Sequence, residues 1–204
     1  MAKKDEFAGP EWSVIEVHRE GSTPAPNQAV HIDFADRQLV ATQRRRRAGK
    51  AFDNTFNNLK ETWLSEGQTD IAWLDISWFQ AIVWEPFSSA VQWADRDLNG
   101  RKGIEGAVGD IEVFVPKPRH VPLQRFRKVD VHFGPNSLVV AGSGIVSLSG
   151  RPIARIKGQQ PVVSANVGPH LETLVALLVA TDIAELVTSR PRGTLDVTSF
   201  VPGS

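Results

Sequence analysis

The chain has 204 residues, 41% hydrophobic and 23% charged, which suits one globular domain with a real core and excludes a disordered polymer. It has no cysteine, which excludes a disulfide framework, a zinc–thiolate site and a cysteine nucleophile. Lysine plus arginine and aspartate plus glutamate both number 23, so the net charge is zero. That balance argues against a generally basic nucleic-acid binder and leaves little repulsion to oppose self-association.

In chain order, residues 1–29 read as an N-terminal extension with one short strand, Trp12–His18, and a breaker cluster from Gly21 to Asn27. The start has no apolar stretch of the kind a secretory signal needs. Residues 30–188 read as a single β-rich domain. Val30, Ile32 and Phe34 alternate, Ala35–Gln38 is turn-like, and Leu39–Thr42 returns as a hairpin partner. A run of four arginines, Arg44–Arg47, follows. Phe52, Phe56 and Leu59 have the spacing of a short helix. Five of the six tryptophans then fall between Trp63 and Trp93, a density that favours strands, expected near 71–75, 78–84 and 88–94. Ile104–Val115 reads as a strand or hairpin in which Gly106 and Gly109 permit a bulge. Strands at Val129–Phe133, Leu138–Ala141, Ile145–Leu148, Pro152–Ile156 and Val162–Val167 bring the total to about ten.

Pro169 opens a helix expected to run to about Thr188, where Pro191 stops it, and residues 189–204 read as a flexible tail. From Leu174 to Ala180 this helix is apolar on every side, and a helix apolar all round is buried all round. The run is far shorter than the roughly 20 residues of a membrane span. The sequence therefore predicts a soluble, cytoplasmic protein, at most peripheral to a membrane. The fold class is mostly β: an antiparallel barrel or sandwich wrapped around, or packed on, its C-terminal helix.

Three architectures combine such a sheet with a helix. A hotdog fold has its long helix early, and a pleckstrin-homology-like barrel ends in an amphipathic one. In the third a final hydrophobic helix runs through the barrel. Residues 150–187 resemble this third family, the tubby carboxy-terminal fold shared by phospholipid scramblases and plant LURP-one-related proteins. Gly150-Arg-Pro-Ile-Ala-Arg-Ile156 is similar to one of its strands. Val162 to Glu172 resembles its last strand and the proline-containing helix entry. Leu174–Ile183 resembles the helix, with Asp182 near a late acidic position. The resemblance implies a barrel threaded by its last helix and a non-enzymatic, tubby-like binding module.

Charge is segregated along the chain. Residues 51–115 hold four basic and eleven acidic residues, while residues 116–160 hold eight basic residues and only Asp130. Alternation after Gly150 predicts Arg151, Arg155 and Lys157 on one face; with Arg44, Arg45, Arg46, Arg47 and Lys50 they make a candidate anion site. The expected partners are anionic lipid headgroups or other phosphates, because the planar guanidinium binds two oxygens at once. Nucleic acid is an alternative source of phosphate. A competing expectation is a structural or assembly protein, of a virus, phage or other particle, that forms a homo-oligomer through charge-complementary faces and Trp73, Trp78, Trp84 and Trp93.

No catalytic pattern stands out, and no cofactor is expected. No histidine lies in an H-x-x-x-H or H-E-x-x-H pattern, and no G-x-S-x-G, Walker A or G-x-G-x-x-G motif occurs. His31 with Asp33 and His132 with Asp130 could make a metal site only if their strands were neighbours. Asp95, Asp97, Asn99 and Gly100 match half of a calcium loop, but Gly106 stands where the bidentate glutamate belongs.

Overall fold

The computed structural model describes residues 6–19, 29–45, 60–75, 103–116, 128–158, 160–181 and 183–184. Thirteen strands and one helix follow in order: β1 (Trp12–Val14), β2 (Glu16–Arg19), β3 (Val30–Asp33), β4 (Gln38–Arg45), β5 (Lys60–Glu66), β6 (Thr69–Asp75), β7 (Gly103–Val108), β8 (Ile111–Pro116), β9 (Lys128–Phe133), β10 (Asn136–Ala141), β11 (Ile145–Leu148), β12 (Arg151–Arg155), β13 (Val162–Ser164) and α1 (Pro169–Ala180). The expected strands at 78–84 and 88–94, the calcium-like loop and the tail lie outside the described residues. So does nearly all of the short helix expected at 51–60, whose last residue, Lys60, opens β5.

The sheet is a meander in which every strand pairs antiparallel with its sequence neighbour, from β2 round to β13, and β1 then pairs with β13. Its two edge strands, β1 and β2, are halves of one stretch joined at Ile15. The first half pairs with β13, the second with β3, and the Ile15 amide donates to the Pro161 carbonyl at 2.9 Å. Thirteen strands thus make twelve staves of a nearly closed barrel. An antiparallel ring needs an even number, and closure removes exposed sheet edges. Trp12–His18, read from sequence as a short strand in an extension, forms with Arg19 the stave that joins the edges.

Twelve staves also set the bore. Strands ~4.8 Å apart and tilted by ~40° form a ring about 24 Å across, wide enough for one helix of ~10–12 Å surrounded by side chains. Strand alternation turns Ile32, Leu39, Leu64, Leu74, Val113, Val131, Leu138 and Val146 inward, all buried. The helix occupies the bore. Thr173 to Val179 are seven consecutive buried residues, two full turns, so no side of the rod meets water. Its backbone lies nearest β3–β7. At ~1.5 Å per residue its twelve residues span about 18 Å, comparable to the height of the tilted strands.

Local chemistry explains the details. The Thr181 hydroxyl donates to the Leu177 and Leu178 carbonyls where the helix ends; Ile183 and Ala184 beyond it are buried, and the expected extension over 185–188 lies outside the described residues. At the helix start Arg37, from the β3–β4 turn, donates to Thr173 Oγ1 (3.2 Å) and to both carboxylate oxygens of Glu66 in the β5–β6 hairpin (3.1 and 3.2 Å). One side chain thus ties the helix to two hairpins. The β7–β8 ladder has no bulge. Gly106 instead allows close approach to β6, because a Cβ there would overlap the Trp73 carbonyl and the Leu74 side chain. Register shifts occur elsewhere, at Ile71 between β5 and β6 and at Ile153 between β11 and β12.

Leu177 has no exposed surface, and its neighbours cannot collapse far into a ring of strands. Leu177→Ala is expected to lower unfolding free energy by ~2–5 kcal/mol in urea titration, and Leu171→Ala, at the half-buried helix entry, by distinctly less.

Candidate anion-binding end of the barrel

Strand direction divides the barrel into two unlike ends. At one end the chain reverses in tight hairpins: 34–37, 67–68, 109–110, 134–135 and 149–150, together with the entry to α1 at 165–168. Ser149 and Gly150 both have positive φ (50° and 79°), as a two-residue hairpin requires. At the other end lie the C-termini of the even-numbered strands and the N-termini of the odd-numbered strands from β3 onward, and the four long connections (20–29, 46–59, 76–102 and 117–127) start and finish there.

The charges divide the same way. Counting the outermost two residues of each strand and Lys157 just beyond β12, the long-connection end carries Arg19, Arg44, Arg45, Lys60, Lys128, Arg155 and Lys157 against Glu61 and Asp75. With its turn residues included, the hairpin end carries Glu16, Asp33, Asp36, Glu66, Asp70, Asp110 and Glu112 against Arg37 and Arg151. Glu172 in the first turn of α1 adds to the acidic end. Its pKa is raised by burial and by Asp36, an effect partly offset by Arg37.

The sequence-derived residues fall into this frame unevenly. Arg44 and Arg45 close β4 at the basic rim, but the Arg44 side chain runs back over Trp63 to Asp70, which lies toward the hairpin end. Arg155 and Lys157 lie on the same rim four staves away, a third of the ring, or roughly 20 Å on a ring of this bore. Arg151 does not join them. It opens β12 at the hairpin end, and the bulge at Ile153 reverses the alternation, so Arg151 pairs with Leu148 while Arg155 pairs with Ile145 on the outer face. The expected single basic face of β12 is therefore broken by one extra residue. Arg46, Arg47 and Lys50 lie outside the described residues, as do Trp78, Trp84 and Trp93. Arg19 and Lys128 belong to the rim and were not singled out from sequence; the signal that could have found them is the alternation of two-residue turns with long connections.

Arg44 is held in place. It donates to both oxygens of Asp70 (2.6 and 2.7 Å), and its guanidinium lies 5.1 Å from the centre of the Trp63 ring. Ser65 donates to the same carboxylate at 2.7 Å. The bonds from Arg44 and then Ser65 hold the Asp70 pKa below the ordinary carboxylate range, and the Asp70 bond raises that of Arg44. Trp63 stacks on Trp73 across β5–β6 (6.0 Å, 24°) and donates to Glu61 at 2.9 Å. Both indoles lie half-buried on the outer face. Arg155 lies 5.0 Å from the Phe7 ring, which packs on Trp12.

Other chemistry is sparse. β3 and β9 are separated by five strands, so His31 and Asp33 do not meet His132 and Asp130. Among the described residues no group of three or more histidine or acidic side chains is placed to hold a metal. An outer cleft of about 340 Å³ is lined by Glu112, Phe114, His132 and Gly134, with the Phe114 and His132 rings stacked at 6.3 Å. No helix among the described residues is long and apolar enough to cross a membrane. No protein-family model, curated protein or solved structure matches the chain.

Because the folded-state pKa of Asp70 is lowered, its contribution to stability is present above the ordinary carboxylate range and is lost as pH falls through the folded value. Asp70→Asn is expected to lower the urea midpoint only slightly at neutral pH, within the ~0–1 kcal/mol of exposed ion pairs. Repeating the titration at falling pH checks the sign: the gap to the parent protein should close in acid.

Proposed function

We propose that the protein is a non-enzymatic binding module that docks end-on against an anionic lipid surface through the rim of the barrel bearing the long connections. The observation that carries this reading is strand polarity, which among the described residues gathers seven basic strand-end positions against two acidic ones at one end and puts an acidic surplus at the other. Cations spread around one end suit a field of phosphates better than a single pocket does, because each contact releases counterions and the contributions add. Pairing within the chain reduces what some members give: the Arg44 guanidinium is held by Asp70 of the hairpin end and contributes little to the rim. The rim acts through its net charge. The tubby and scramblase resemblance of residues 150–187 adds support, since the architecture it implies, a barrel around a final hydrophobic helix, is the architecture observed.

Flotation with vesicles tests the reading. The protein should float with vesicles rich in anionic lipid, stay down with neutral ones, and lose binding steeply as salt rises from ~0.05 to ~0.5 M. Arg19→Glu with Lys157→Glu, two rim positions on different staves, should reduce binding by at least tenfold. Arg151→Glu, at the other end, should leave it unchanged. Equal flotation on neutral vesicles, or equal loss in the Arg151 variant, contradicts the proposal.

A further inference from the structure

In a meander barrel the order of residues along the chain becomes position around the ring, so charge segregated in sequence becomes charge segregated by flank. Among the described residues, the flank β5–β8 carries seven acids (Glu61, Glu66 and Asp70 among them) and one base, Lys60, a net −6. The adjoining flank β9–β12, with Lys157 and the turns, carries Lys128, Arg151, Arg155 and Lys157 against Asp130, a net +3. Arg44 on neighbouring β4 offsets Asp70 and leaves the contrast intact.

Each flank also has apolar area on its outer face. On the acidic side Trp63 and Trp73 stack and remain half-exposed. On the basic side Val139, Ile145 and Pro152 are half-exposed, and register puts them on the outer face, opposite in parity to buried Leu138, Val140 and Val146. The hairpin end, by contrast, offers polar tips such as Gly67-Gln68 and Gly109-Asp110, so end-to-end stacking would have charge alone, and exposed ion pairs contribute little.

We infer that the protein self-associates side by side, the acidic Trp63–Trp73 flank of one copy meeting the basic β9–β12 flank of the next. Aromatic area at the centre and charges at the margin are what a specific interface uses. The two surfaces are different, so the contact is heterologous and propagates from copy to copy instead of stopping at a two-fold dimer. Charge complementarity steers the encounter and weakens with salt. This inference has its own test, solution mass without lipid, although Lys128, Arg155 and Lys157 belong both to the rim and to this flank.

Sedimentation velocity on the full chain tests it. At ~0.05 M salt the weight-average mass should rise with concentration beyond a dimer, and at ~0.5 M it should fall toward the monomer. Glu105→Lys, Asp110→Lys and Glu112→Lys together bring the acidic flank to zero, since three reversals of two units each offset −6. Lys128→Glu with Arg151→Glu takes the basic flank from +3 to −1. Each variant alone should be monomeric. Mixed, they should form a 1:1 dimer, because each supplies the flank the other lacks; a misfolded variant could not be rescued in this way. A parent chain that stays monomeric at low salt, or variants that assemble alone or fail to pair when mixed, would overturn the inference.

Discussion

Everything in this fold follows from the need to keep water off the full circumference of one short apolar rod. A helix with a single apolar stripe is satisfied by one sheet face. Leu174–Val179 has no polar stripe to leave outside, and each of these residues is buried. A flat sheet would leave half of the rod wet, at roughly 25 cal/mol for each Å² of apolar surface exposed. A ring of about twelve strands is the size that surrounds one helix without a large void. Closing that ring requires the first and last strands to meet, and the chain does this with one stretch, Trp12–Arg19, that pairs first with β13 and then with β3. The N-terminal stave and the C-terminal helix therefore depend on each other: without the stave the bore is open, and without the helix it is empty.

The meander that builds the ring also distributes the charges. Two-residue turns at one end and long connections at the other give the barrel a polarity along its axis, and sequence order gives it a polarity around its circumference. Neither is visible as net charge, which is zero. On the reading we propose, the cationic rim meets lipid phosphates and the unlike flanks meet other copies, with Lys128, Arg155 and Lys157 common to both surfaces.

Much of the architecture was legible in the residues. The strands from Val129 to Val163 alternate cleanly, and their turns carry glycine, proline or asparagine. The helix announced both its existence and its enclosure through Leu174–Ala180. Three things were not legible. Strand β5 was missed because Lys60-Glu-Thr-Trp-Leu-Ser-Glu66 carries charge at both ends and follows a stretch with helical spacing. The closing role of Trp12–Arg19 depends on partners 11 to 17 and about 150 residues away, which no local pattern encodes. The division of the basic residues failed at Ile153, where one bulged residue reverses the alternation, so that Arg151 and Arg155, at the two ends of a five-residue strand, do not share a face. A two-residue period read along a strand assumes unbroken pairing, and Ile153 with Ala154, consecutive and both buried, is the local sign that the period had slipped.

The most direct test of the enclosed helix uses the absence of cysteine from the chain. Ala176 lies mid-helix with no exposed surface, and Ser137 lies exposed on β10. A thiol reagent under native conditions should label Ser137→Cys at once and Ala176→Cys only at the rate of global unfolding measured in parallel by circular dichroism. Rapid labelling of Ala176→Cys while the native spectrum persists would show that the rod has a wet side and would contradict the account.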